Sequence, residues 1–200
     1  MLWKNNRSED GSSAIEFALY MFIFVLMCGF LMDMSFAIIN KSHAERVNNS
    51  LMMIFRERIA FYNSTETITQ ADLIHLKSIS DALLKKEDGS IDDYQLAIRM
   101  ISFSSRSTQN RQIPSELFYA SPAVNGCDSA RNRSDQNRLA AMSAWGLRPS
   151  ATKDEAVFWY PVYEITLCIP GSVSYFNRAL GVFNRNLSSL YIRNASLPRK

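Results

Sequence analysis

Between Phe17 and Met32 the chain runs for sixteen residues without a charge, FALYMFIFVLMCGFLM. Ala14-Ile15 before this run and Ser35-Phe36-Ala37-Ile38-Ile39 after it extend the stretch to 26 residues, interrupted only by Glu16 and Asp33. As a helix rising about 1.5 Å per residue, such a stretch reaches roughly 39 Å, enough for a hydrocarbon core of about 30 Å. A core helix of a soluble protein normally keeps a polar stripe. This one is apolar all round, with four Met and five Phe, and reads as a membrane segment.

The rest of the 200 residues has room for one domain beside that element. Seven Gly, six Pro and three Cys exclude collagen-like, low-complexity and disulfide-dense miniprotein classes. The 22 basic and 19 acidic residues leave a net charge of +3. That balance is too even for the concentrated basic face of a nucleic-acid binder.

Three kinds of membrane segment differ in their flanks. A lipoprotein signal at Cys28 would need a small residue where Met27 stands. A secretory signal cut after Ala37 has small residues in place at Ser35 and Ala37. Against it, Glu9 and Asp10 accompany Lys4 and Arg7 in the head, and the apolar run exceeds the usual 7–15 residues or so. A retained helix is the third kind.

Glu16 discriminates further. A carboxylate at the edge of a membrane helix is costly; insertion scales assign acidic residues up to about +2.5–3.5 kcal/mol at the centre, and less near the interface. Either Glu16 rests among headgroups, or it has a positive partner. A cut after Gly11 would supply one, because the new α-amino group on Ser12 would lie one helical turn away, on the same chain or on a neighbouring subunit.

A short polar head ending in Gly11, then Ser12-Ser13-Ala14-Ile15-Glu16-Phe17, then an apolar helix, resembles the class III prepilin signal of type IV pilin-like proteins. In that family a membrane aspartyl peptidase cuts after the Gly, and Glu at the fifth mature position is the hallmark. The Glu16-Phe17 pair resembles the Glu-aromatic pair of the Flp/Tad branch, and residues 14–18 look like TadE/TadF-type pseudopilins of the tight-adherence pilus. The strand Tyr163-Glu164-Ile165-Thr166-Leu167-Cys168 is similar to the TadF type as well. Orientation also comes from the resemblance, which implies a cytoplasmic N-terminus and an external domain. Lys4 and Arg7 before the helix are matched by Lys41 and Arg46 after it, so the distribution of basic residues barely discriminates.

Beyond the membrane segment, Val47, Leu51, Ile54, Arg58 and Tyr62 fall on one helical stripe, and Asn63-Ser64-Thr65 ends it. Thr69 with Asp72 three residues on predicts a helix start, followed by Leu73, Leu76, Ile79 and Leu83. Glu87-Asp88-Gly89-Ser90 is a turn signal. Tyr94, Leu96, Ile98 and Met100 alternate with Gln95, Ala97 and Arg99, which predicts a strand with one buried face. Residues 104–137 read as loops with short pieces of structure, and residues 138–145 as a short helix. Residues 157–169 are the strongest strand candidate, with Pro161 marking an edge or bulge, and residues 187–193 a final antiparallel strand.

The fold class is therefore α+β: a long N-terminal transmembrane, pilin-type helix, then a small globular domain with a short helix and a modest antiparallel sheet. The domain reading is a prepilin leader over 1–11, a membrane or filament-core helix over 12–40, an amphipathic continuation over 41–62, and an extracytoplasmic domain over 63–200.

Cys28 lies inside the membrane segment, which leaves Cys127 and Cys168 as a pair outside the cytoplasm. A disulfide between them would persist in an oxidising compartment. The alternative is two unrelated thiols.

No enzyme signature emerges. His43 and His75 have no metal-type spacing, no Cys-x-x-Cys occurs, and the glycines are scattered singly. Ser150-Ala151-Thr152-Lys153 matches S-x-x-K but lacks its companion motifs. Arg131, Arg133, Arg138 and Arg148, interleaved with Asp128 and Asp135, read as a solvated loop. Asp33 either snorkels to the interface or pairs with a partner subunit.

The reading is a non-enzymatic pseudopilin. What the resemblance implies is insertion in the bacterial inner membrane, processing at Gly11, Ser12, Glu16 and Phe17 by a prepilin peptidase, and subunit register set by Ser12 and Glu16. Its expected partners are other pilins and the pilus assembly platform, with no nucleic acid, small-molecule substrate, metal or cofactor. Its role would be assembly of the Flp pilus, and through it adhesion and biofilm formation. The rivals are a secreted or periplasmic binding domain with a signal peptide cut after Ala37, and an uncleaved bitopic assembly protein of the inner membrane.

Overall fold

The computed structural model describes residues 10–57, 67–103, 115–127, 136–148, 156–171 and 189–198. In chain order its elements are α1 (Asp10–Arg56), α2 (Gln70–Leu84), β1 (Gln95–Ser102), β2 (Ser115–Ala120), α3 (Gln136–Ala141), β3 (Trp145–Arg148), β4 (Ala156–Trp159), β5 (Val162–Pro170) and β6 (Ser189–Ser196). The architecture is the expected one: a long apolar N-terminal helix, then a small domain with a short helix and a four-stranded antiparallel sheet.

Helix α1 is continuous over 47 residues, roughly 70 Å at about 1.5 Å per residue. Its character changes near Lys41. Before that point nearly every side chain is exposed; after it, Ala44, Val47, Leu51, Met52 and Phe55 recur every three or four residues and are buried. This recurrence is the signature of one helical face packed on a core. Of the expected stripe, Val47 and Leu51 are buried and Ile54 is half-buried. Arg58, Tyr62 and Asn63–Thr65 lie outside the described residues.

Helix α2 starts as its sequence predicts. The Thr69 backbone N–H donates to Asp72 Oδ2 at 2.7 Å, and the Asp72 N–H donates to Thr69 Oγ1 at 3.4 Å. This reciprocal capping box satisfies two N–H groups that the first turn leaves without helical partners. Leu73 and Leu76 face the core, with Ile79 and Leu84 at its margin. Leu83, expected on the same stripe, is exposed.

The main sheet has strand order β2-β1-β5-β6, every neighbouring pair antiparallel. Strands β3 and β4 form a separate two-stranded ribbon. One face of the main sheet carries Leu96, Ile98, Met100, Tyr163, Ile165 and Leu167, which meet the second half of α1 and helix α2. The core is thus a two-layer sandwich in which the lower part of the anchor helix supplies one layer.

Several sequence expectations are corrected. Strand β1 is buried on both faces, not one: Gln95, Ala97 and Arg99 are as inaccessible as their apolar neighbours. The second face is covered as well, and there Ile101 and Val162 pack with Leu139 of α3. The short pieces of structure expected within 104–137 include β2 and the start of α3. Helix α3 spans Gln136–Ala141 only, and Trp145 begins β3. The single strand expected over 157–169 is two, because Tyr160 and Pro161 separate β4 from β5. Proline has no N–H to give to a ladder, and here it ends one ladder before the next begins.

Candidate functional site

The feature that sets this molecule apart is the upper half of α1. From Ile15 to Ile39, eighteen large apolar side chains are each at least 45% exposed. Soluble monomers rarely expose apolar patches beyond a few hundred Å². This helix is long and apolar enough to cross a membrane, and none of its most apolar window is buried within the chain. Its polar groups are arranged accordingly: the Ser35 hydroxyl donates to the Leu31 carbonyl at 2.9 Å, one turn back along the same helix. An added Cβ at Gly29 would meet nothing within 4 Å, so among the described residues no other segment packs on that position.

The residues expected to direct processing lie at the start of this helix. Gly11 and Ser12 are helical in backbone, with side chains outside the described residues. Glu16 and Phe17 follow on the exposed surface of the same helix, about 40 Å along the axis from Ala44, where the domain begins. The structure therefore places the four in one continuous helical stretch, well away from the folded head.

Asp33 and Cys28 are half-buried. Asp33 lies on the wall of a cleft of about 1160 Å³ between α1 and the turn that joins α2 to β1. The α1 wall includes Phe36, Ala37, Asn40 and His43; the opposite wall includes Lys85, Lys86, Glu87 and Asp88. That turn is held by its own bonds. The Lys86 N–H donates to the Ser90 carbonyl at 2.9 Å, Gly89 has φ +81°, and the Ser90 N–H donates to Asp88 Oδ1 at 2.9 Å. Lys86 Nζ reaches Asp92 Oδ1 at 2.7 Å. The Asp92 carboxylate raises the Lys86 pKa above its ordinary value, and the Ser90 hydroxyl and N–H lower that of Asp88. Both groups therefore stay charged through neutral pH.

Cys127 and Cys168 are bonded to each other and almost fully buried. The bridge ties the segment after β2 to the centre of the sheet, since Cys168 stands on β5 opposite Gln95 of β1 and Tyr191 of β6. Gly126, at φ +90°, brings the loop close enough for its carbonyl to accept from the Ser189 hydroxyl.

Sequence reasoning missed two charged arrangements. On the second face of the sheet Arg99 Nε lies 3.1 Å from Glu116 Oε1 and 3.7 Å from Glu164 Oε2, with side chains of Arg99 and Glu164 only 3% and 7% exposed. The guanidinium also stands over the Phe118 ring at 5.5 Å. The signal available in the sequence was one Arg and one Glu at the centres of two strongly apolar strands. At the α2–β1 junction the Tyr94 hydroxyl donates to Asp81 and is bonded to Ser80, while Lys77 Nζ sits 3.1 Å from Asp81 and 4.9 Å above the Tyr94 ring. Burial, then the Asp81 carboxylate, raises the Tyr94 pKa well above that of a free phenol.

Among the described residues no group of three or more His, Cys, Asp or Glu is placed to hold a metal. His43 and His75 are exposed on different helices, and Ser150–Lys153 lie outside the described residues. The arrangement offers surfaces for association: an unsheathed apolar helix, and a braced head fused to its lower half. No curated protein and no solved structure matches the chain. A family model does, over residues 1–198, and its description is TadF, "putative tight adherence pilin protein F".

Proposed function

We propose that this chain, which belongs to the TadF family, is a minor, pseudopilin-type subunit of the tight-adherence pilus, cleaved after Gly11 by a prepilin peptidase. Membership makes it a pilin-like component of the Tad system, associated with a membrane and with the pilus assembly apparatus. The observation that carries the finer reading is the division of α1. Its first half exposes apolar side chains on every side, and its second half is an integral layer of the head's core. Such a helix can lie in lipid before assembly and among neighbouring helices afterwards without any change in the head. A head of this size favours a minor role over that of the principal repeating pilin.

In this reading residues 1–11 are the leader, 12–40 the membrane and filament-core helix, 41–62 its continuation and 63–200 the extracytoplasmic domain. The N-terminus faces the cytoplasm and the head the periplasm, across the inner membrane. After cleavage the Ser12 amine and the Glu16 carboxylate provide opposite charges one helical turn apart. In an apolar surrounding an unmatched charge is expensive, so a neighbouring subunit is held at the register that pairs them. Phe17 belongs to the recognition sequence of the peptidase. The protein's contribution is structural, and adhesion and biofilm formation follow from the pilus it helps to build.

The test is the N-terminal residue of the protein recovered from membranes of cells that contain a prepilin peptidase, read by Edman degradation or top-down mass spectrometry. A start at Ser12 is expected. A start at Ile38 would make the chain a secreted domain, and an intact Met1 would make it a permanent anchor; either overturns the proposal.

A further inference from the structure

The cleft between α1 and the α2–β1 turn stands at a particular height on the anchor helix. A hydrocarbon core of about 30 Å takes about 20 helical residues. Counted from Phe17, that length is used up near Phe36, and the α1 wall of the cleft runs from Asp33 to Ala44. The head therefore overhangs the anchor where hydrocarbon gives way to headgroups, and residues 83–93 form the overhanging lip.

The lip's composition fits that position. Leu83 and Ile91 are each 41% exposed, as apolar side chains directed at a bilayer boundary would be. Beside them the lip carries charges of both signs: Lys85 and Lys86 with Glu87, Asp88, Asp92 and Asp93. With Asp33 on the opposite wall, five carboxylates and two ammonium groups line the cleft. Such a lining repels an anionic headgroup and attracts an ammonium, while the two lysines leave a place for a phosphate. Phe36, Ala37, Leu84 and Ile169 give the cleft apolar walls for the glycerol end of a lipid. The internal hydrogen bonds of the turn fix this arrangement before any ligand arrives.

We propose that this cleft seats the headgroup of a zwitterionic phospholipid bearing a primary ammonium, phosphatidylethanolamine being the type. The carboxylates of the lip and Asp33 receive the ammonium, the lysines receive the phosphate, and Leu83 and Ile91 rest on the bilayer boundary. The seat fixes the rotation of the head about α1 relative to the membrane plane. It rests on the membrane-anchored reading of α1, which co-flotation of the full chain with vesicles reports separately.

The experiment is hydrogen exchange of the peptide covering residues 83–93. The full chain is placed at one copy per nanodisc, in phosphatidylcholine alone, with added phosphatidylethanolamine, or with added phosphatidylglycerol. Exchange about tenfold slower with phosphatidylethanolamine than with either other lipid is expected, equivalent to about 1.4 kcal/mol of selective contact. Asp93→Asn leaves the Lys86–Asp92 pair and the Asp88–Ser90 bonds in place and abolishes that selectivity; Lys85→Gln weakens it. Equal exchange in all three lipids by a chain that still floats with vesicles overturns the headgroup seat while sparing the anchor. Protection that appears only with two copies per disc makes the occupant a protein, and overturns it too.

Discussion

Phe55, near the end of α1, stands edge-on to Tyr163 of β5, ring centroids 5.2 Å apart and planes at 70°. Both side chains are buried, and the pair joins the anchor helix to one of the two central strands of the sheet. Edge-to-face pairs of this kind add about 0.5–1.5 kcal/mol beyond the area they bury. Phe55→Ala should therefore destabilise the head by about 3–5 kcal/mol. Chemical unfolding of the full chain in detergent, followed by near-ultraviolet circular dichroism, measures it. Phe55→Leu, which keeps most of the volume, should lose less than half as much.

Glu16 makes the opposite prediction. It lies far along α1 from the head's core, so Glu16→Ala should leave the unfolding transition unchanged while pilus assembly is lost. Counting surface filaments by electron microscopy, beside the same unfolding measurement, separates the two effects. Normal piliation in Glu16→Ala cells would remove the register role assigned to it.

The Cys127–Cys168 bridge closes a loop of 41 residues in sequence separation. A loop of that length removes enough freedom from the unfolded chain to stabilise the fold by about 3–4 kcal/mol. Cys127→Ser with Cys168→Ser should lower the unfolding free energy by that amount. Because both sulfurs are bonded to each other and buried, alkylation should label Cys28 alone until the protein is both unfolded and reduced.

Arg99→Met should destabilise the head by about 3–5 kcal/mol, since it leaves the Glu116 and Glu164 carboxylates close together in a poorly hydrated site. Adding Glu116→Gln and Glu164→Gln should recover most of that loss. Urea midpoints of the single and triple variants decide the matter; no recovery in the triple variant would mean that the guanidinium's packing over Phe118 matters more than its charge.

Tyr94 gives the molecule an alkaline limit. Its folded-state pKa is raised above the unfolded value of about 10, so the folded form holds its proton where the unfolded form releases it. Its stabilising contribution is complete below pH 10 or so and is lost as pH rises towards the folded pKa. Stability should fall above about pH 10 in the parent and fall less steeply in Tyr94→Phe. Unfolding curves between pH 8 and 12 measure the difference in slope.

Local rules carried much of the architecture. The apolar run of α1 and the Thr69–Asp72 capping box are each written in residues close together in sequence, where periodicity and capping chemistry act. The Cys127–Cys168 pair was legible by a different route, the compartment implied by the prepilin-like signal. The failures share a cause. Strand β1 reads as half-buried because Arg99 looks like a solvent-facing residue, yet Glu164 directly opposite it on β5 and Glu116 on β2 allow it to be buried. Strand β2 escaped notice because Ser115–Ala120 is short and flanked by polar sequence, and its edge position is decided by β1. The cleft joins residues near 36, 86 and 170, so no sequence window contains it.

Between Phe30 and Arg56 helix α1 contains neither glycine nor proline, so it has no ready point at which to bend. Because the same rod is anchor at one end and core layer at the other, the head has no swivel of its own. A tilt of the apolar half swings the head through the same angle. A pull along the rod, as when a subunit leaves the membrane, loads the sheet in shear across the Phe55–Tyr163 contact and the 2.6 Å bond from Asn194 to Asn49. The joint that keeps the head folded is thus also the joint through which mechanical force must pass.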